Sequence, residues 1–192
     1  MLKRCHDRKE KIQGENIYIT LVEEEDVGEL VKFEVKNRDF FQPFFRKQED
    51  FDYTTQGQWE IVKKAIEDAQ TDRGYLFLIY LQESNELIGK VMLNRVMRLH
   101  LQSCWIGYTL DQDYNGRGYM SESVKLVVVH AFQELNLHRI EAAVLPHNLG
   151  SISVLLKNGF HKEGIARKSL KVNGNWEDHQ ILAIINESNL EK

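Results

Sequence analysis

The run from Ser103 to Leu145, "SCWIGYTLDQDYNGRGYMSESVKLVVVHAFQELNLHRIEAAVL", constrains the fold of this chain more than any other segment. Ser103–Leu110 and Arg139–Leu145 read as strands. Between them apolar residues recur at Met120, Val124, Val127, Val128, Ala131, Phe132 and Leu135, the spacing of a helix with one buried face. A strand-helix-strand connection of this length favours parallel pairing with a right-handed crossover. Gly116 and Gly118 stand at the mouth of that helix, with Arg117 between them. The first N–H groups of a helix lack intrahelical partners and carry partial positive charge, so they bind anions where bare backbone can approach the ligand. Two readings stand on the residues alone. One is a phosphate cradle; the other is a strand-to-helix turn that needs positive φ. A Walker loop is excluded because no G-K-[ST] follows, and a dinucleotide fingerprint would want a third glycine where Ser121 stands.

The remaining segments surround this unit. Residues 1–14 are charged and aperiodic and read as an extension; residues 15–192 read as one domain. Asn16–Val22 alternates like a strand and leads into a helix with Val27, Leu30, Val31 and Val35 at helical spacing. "NRDFFQPFFR" (37–46) is an aromatic connection before a second helix from about Thr54 to Thr71. Tyr75–Met97 is two β-rich runs around the turn Glu83–Glu86, with Ser103–Leu110 as a third antiparallel strand. Beyond Pro146, Ser151–Asn158 is a short helix stopped by Gly159, and two last strands flank Asn173-Gly174, the best hairpin signal in the chain. The expected fold is α/β: one mixed, mostly antiparallel sheet of about seven strands with helices on both faces.

Composition narrows the function. Against 25 Lys+Arg stand 29 Asp+Glu, a formal net charge of -4, so no polyanion-binding footprint is present and direct DNA binding is not expected. Cys5 and Cys104 are far apart and outside any metal-ligand spacing, nor do His6, His100, His130, His138, His161 and His179 show one; no metal is expected. No stretch has the apolar length of a membrane helix and the N-terminus has no apolar signal region, so a cytoplasmic location is the expectation.

"DYNGRGYMSESV", "WIGYTL", "LNLHRIEAAVLPHNLGSISVLLKNGFHKEG" and "VNGNWEDHQILAI", in this order, resemble the GNAT superfamily of N-acetyltransferases, more narrowly its ribosomal-protein alanine or serine N-terminal branch. The likeness covers about residues 15–186, with Asp113 standing where the superfamily prefers Arg or Gln. It implies a sheet splayed between the fourth and fifth strands, here Ser103–Leu110 and Arg139–Leu145, with the pantetheine arm of acetyl-CoA in the gap. Tyr108, Leu110, Asn115, Gly116, Arg117, Gly118, Tyr119, Met120, Asn148, Ser151 and Lys157 are its implied cofactor contacts.

The resemblance also implies direct attack by an amine on the thioester in a ternary complex, with a backbone N–H of the fourth strand stabilising the oxyanion. The acceptor it implies is the α-amino group of a protein, such as a ribosomal subunit; a small amine (antibiotic, polyamine or amino acid) is the alternative, and a non-catalytic acyl-CoA sensor a third. The family base positions read Trp105 and Leu170 here, leaving Glu141, or a water relayed by His147. The tyrosine acid common in the superfamily is replaced by Leu155, so Ser151 is the implied acid and Asn148 an implied partner of the pantetheine arm or acetyl end. Asn148 would equally serve as a helix N-cap, Ser151 as an ordinary first-turn serine, and Lys157 as dipole-complementing charge at a helix end. Glu141 would equally be a solvated strand residue, and Tyr108 and Trp176 core. Paired domains are common in the family, which extends to this chain as a homodimer.

Overall fold

The computed structural model describes residues 10–45 and 48–187; Cys5, His6 and Arg46 lie outside that range. Eight strands form one sheet: β1 (Ile12–Gln13), β2 (Ile17–Leu21), β3 (Gly74–Leu81), β4 (Leu87–Met97), β5 (Ser103–Leu110), β6 (Arg139–Val144), β7 (His161–Val172) and β8 (Asn175–Ile185). Their spatial order is β1-β2-β3-β4-β5-β6-β8-β7, antiparallel except for the β5–β6 pair. The helices are α1 (Val27–Phe41), α2 (Thr55–Gln70), α3 (Tyr119–Gln133) and α4 (Leu149–Lys157).

Both faces of the central strands are covered, which is why "YLFLIYL" is a continuous apolar run rather than an alternating one. Phe77 and Ile79 pack with Ile17 and Ile19 beneath α3 and α4, where Val124, Val127 and Leu155 are fully buried. Leu76, Leu78 and Tyr80 point the other way, into a second core with Leu30, Phe33 and Val62 of α1 and α2. Burying a side chain of this kind contributes about 1.5–3 kcal/mol. Thr54 caps α2, its hydroxyl accepting the Gly57 N–H at 3.0 Å.

Three details depart from the sequence expectation. There is an eighth strand: Ile12 and Gln13, inside the segment read as aperiodic, pair with Ile19 and Tyr18. Two residues are too short to carry a period, but Gly14 turns the chain back, its N–H donating to Ile17 O at 2.8 Å. Val35, on the helical apolar pattern, is 53% exposed, while Glu34 is buried and paired with Lys90 of β4. α4 begins two residues earlier than expected because Asn148 caps it, its Oδ1 accepting the Ser151 N–H at 3.1 Å.

The splay follows from register. β5 and β6 pair only at Ser103–Arg139, Cys104–Ile140 and Trp105–Glu141. Beyond Trp105, β5 stays with β4 as far as Leu110 opposite Gly89, and β6 stays with β8 as far as Val144 opposite Gln180. The two strands therefore part in the middle of the sheet.

Candidate active site

A cavity of about 370 Å³ opens from this gap. Its floor is Tyr108, Thr109 and Leu110 at the end of β5, and one rim is Asn115, Gly116, Gly118, Met120 and Ser121. The opposite rim is the start and outer face of α4: Asn148, Gly150, Ser151, Ser153, Val154 and Lys157. Phe40, Phe41, Phe44 and Phe45, from the end of α1 and the turn after it, form the remaining wall.

The rim is built for close approach. Gly116 and Gly118 have φ of +77° and +87°, and a Cβ on either would meet no atom within 4 Å, so bare backbone faces open space. Gly118 O accepts the Glu122 N–H at 3.0 Å, which makes this the first turn of α3 and leaves the preceding amides without an intrahelical acceptor. The glycines supply left-handed turns, and those turns set the α3 N-terminus at the cavity rim.

The root of the loop is tied to α1. Lys36 Nζ lies 2.8 Å from Asp111 Oδ2 and 2.7 Å from Asp113 Oδ2, and the fully buried Asn37 accepts the Gln112 N–H at 3.0 Å. Burial pushes the Asp111 carboxyl upward, but Lys36, the Asp113 amide and Asn37 outweigh it and hold it below the usual range. Hydrogen bonds to Asp111 and Asp113 raise the Lys36 ammonium above its usual value.

Across the gap the Tyr108 hydroxyl lies 3.0 Å from Ser151 O and 2.9 Å from Ser151 Oγ. Desolvation drives the Tyr108 phenol well above its ordinary value, against a smaller opposite effect from Ser151, so it stays neutral. Asn148 spends its Oδ1 on the α4 cap and retains its Nδ2 as a donor.

Tyr108, Leu110, Asn115, Gly116, Gly118, Met120, Asn148, Ser151 and Lys157 thus line one cavity. The other expected residues lie elsewhere. The Arg117 guanidinium sits 5.4 Å over the Tyr114 ring, which also neighbours Tyr119, with ring centroids 6.3 Å apart. Glu141 is 3.2 Å from Arg139, which also pairs with Glu163, and it does not line the cavity. His147 lines a separate depression with Trp176 and Glu177. Leu155 is wholly buried in the core, and Leu170 is 42% exposed on β7. Sequence reasoning missed the Tyr108–Ser151 contact and the Lys36–Asp111 tie, since neither pair has a local pattern.

This arrangement, a splayed sheet with a glycine-lined helix N-terminus at one end of the gap, belongs to an acyl-CoA-dependent transferase. The chain matches the model of the acetyltransferase (GNAT) domain over residues 16–161 and belongs to that family of acetyltransferases. It is 49% identical over 175 residues to a probable N-acetyltransferase, YjcK, of Bacillus subtilis, covering 91% of this chain and 97% of that one. The crystal structure of the ribosomal-protein-S5-alanine acetyltransferase of Vibrio fischeri superposes with a TM-score of 0.88 at 30% identity, covering 93% and 97% of the two chains. RimJ of Mycobacterium smegmatis, in complex with CoA-disulfide, gives a TM-score of 0.85 at 27% identity, covering 90% and 83%. Acetyl-CoA is the family's acyl donor. The residues present fit it: the open glycine turns suit a pyrophosphate, the gap suits an extended arm, and Lys157 offers a cation on the same cavity.

Proposed function

We propose that this protein acetylates the N-terminal α-amino group of a protein, with ribosomal proteins as the first class of acceptor, by direct attack within a ternary complex. The observation that carries the reading is the chemistry of the cavity wall: among the described residues no Asp, Glu or His lines it, and Lys157 is its one charged residue. An attacking amine must be neutral, and such a wall offers no carboxylate to attract a polycation and no local base to deprotonate an ammonium. An α-amino group, with a pKa of about 7.7–8.0, is partly neutral at physiological pH, whereas a lysine amine near about 10.4 is not. Polyamine and aminoglycoside acceptors suit an acidic pocket instead. The relatives named for ribosomal-protein alanine acetylation support the same acceptor.

Acetyl-CoA supplies an activated thioester. The glycine turns and the α3 N-terminus would hold its phosphates, with Lys157 as an added cation, and the Asn148 Nδ2 group would donate to its pantetheine or acetyl end. The Ser151 hydroxyl, braced by Tyr108, would stabilise charge on the departing sulfur by hydrogen bonding. Full proton transfer from either hydroxyl is disfavoured, because both hold their protons more tightly than a thiol of pKa about 8.5. Backbone N–H groups at the unpaired end of β5 would serve the carbonyl oxygen.

The test is thiol release from acetyl-CoA with Ala- and Ser-starting ribosomal peptides, an Nα-blocked lysine peptide, spermidine and an aminoglycoside, each measured from pH 6 to 9. One free-amino peptide should dominate, its rate rising with pH toward a plateau near the α-amino pKa. Comparable turnover of spermidine or blocked lysine would overturn the acceptor class. No turnover of any amine, with acetyl-CoA still raising Tm, would favour the sensor.

A further inference from the structure

The aromatic wall of the cavity is held at both ends. At one end lies the tie of Lys36 and Asn37 to the glycine loop. At the other, beyond α1, the Asn173 side chain is bonded to both the side chain and the backbone carbonyl of Gln42. Gln42 Nε2 donates to Asn173 Oδ1, and Asn173 Nδ2 donates to Gln42 O at 3.0 Å. The Asn173 N–H also reaches Phe45 O at 3.4 Å. Asn173 is the first of two left-handed residues of the β7–β8 turn (φ 49°, with Gly174 at +85°), so a hairpin tip on the far edge of the sheet grips the segment that carries the phenylalanines. Phe40, Phe41, Phe44 and Phe45 pack on one another with centroids 5.7–6.4 Å apart, so they move as one unit.

We propose that Gln42 and Asn173 are positioning residues for the acceptor: their amide pair latches the aromatic segment over the cavity, and its release admits the incoming amine. This rests on the reading that the acceptor amine reacts in this cavity. Neither residue lines the cavity, so the pair acts through the wall it holds. The pair is solvent-exposed, and such hydrogen bonds contribute little net stability. That weakness suits a latch, which must open in each cycle and yet keep water from the thioester when closed.

The test uses Gln42→Met, which keeps side-chain length without the amide, and Asn173→Gly, which keeps the left-handed turn and the backbone N–H but removes the side chain. Each folded variant and the double variant are measured for CoA affinity by calorimetry, for acetyl-CoA hydrolysis without acceptor, and for KM and kcat with an Ala-starting peptide. Hydrolysis and peptide KM should each rise roughly two- to ten-fold, with CoA affinity unchanged and kcat little altered. The double variant should match Asn173→Gly, which already removes both bonds, while Gln42→Met, which keeps the Asn173 Nδ2 bond to the Gln42 carbonyl, should have an equal or smaller effect. Unchanged or undetectable hydrolysis in all variants, an equal loss of CoA affinity, or additive effects would each overturn the latch. The hydrolysis arm needs no acceptor, so failure of the peptide to turn over with wild type counts against the acceptor class and leaves the latch to be judged on water.

Discussion

The Tyr108 phenol stands 2.9 Å from the Ser151 hydroxyl and 3.0 Å from the Ser151 carbonyl oxygen, joining β5 to α4 across the place where the sheet has parted. A single phenol therefore sets both the width of the gap and the orientation of the serine facing it. When the phenol proton goes to the carbonyl oxygen, the serine proton is drawn to the phenol oxygen; when it turns to Oγ, the serine proton is free for a ligand.

Tyr108→Phe should accordingly lower kcat about ten-fold, the effect of losing one hydrogen bond of about 1.4 kcal/mol in the transition state, with little change in the KM for acetyl-CoA. Steady-state kinetics check it. Because burial raises the phenol above its ordinary value, the wild-type pH profile should show no descending limb from this group at or below about pH 10.

Gly116→Ala and Gly118→Ala should separate folding from binding. Each forces an L side chain into a left-handed turn with open space around it, so stability should fall by only about 1–2 kcal/mol. Acetyl-CoA affinity should fall much further, at least about ten-fold, since the methyl fills the space that lets phosphate reach the backbone. Urea denaturation and calorimetry on the same samples decide it; equal losses would mean that the glycines serve only the turn.

Lys36→Met should destabilise the fold by about 1–2 kcal/mol, less than a fully buried pair would lose because Lys36 is 43% exposed. The Asp111 carboxyl is depressed in the folded state, so its contribution is present above the unfolded value of about 3.9 and disappears as pH falls through the folded value. Lys36 is raised, so its contribution is complete below about pH 10.4 and is lost as pH rises through the higher folded value. The difference in unfolding free energy between wild type and variant should therefore be flat from about pH 5 to pH 9 and shrink below about pH 4.

Thr20→Val should stabilise the protein. The Thr20 hydroxyl oxygen is buried on β2 without a hydrogen-bond partner among the described residues, and replacing it with a methyl removes a desolvation cost of about 1–3 kcal/mol. A Tm unchanged or lowered would mean that a water satisfies the hydroxyl in solution.

Much of the fold was legible because its signals are local. The α3 period, the second helix from about Thr54 and the Asn173-Gly174 turn each lie within a few residues, and each forms where expected. β1 was not legible, since a two-residue strand exists only through the partner it meets. The cavity was partly legible: the glycine loop and the α4 start were named from a motif, and both line it. Glu141 was named on its strand position alone, and strand position does not say which neighbour an acid will meet; it meets Arg139.

The sequence by itself determined the elements from β2 onward, their order and the two left-handed glycines before α3, because helix period, strand alternation and positive φ are properties of a few consecutive residues. Tertiary structure decided the site. Tyr108 reaches Ser151 across 43 positions, and Gln42 reaches Asn173 across 131. Both meetings depend on β5 and β6 parting after Trp105 and on the β7–β8 hairpin lying over α1's end. Contacts so remote in sequence arise from the register of the whole sheet, which no short stretch of the chain encodes.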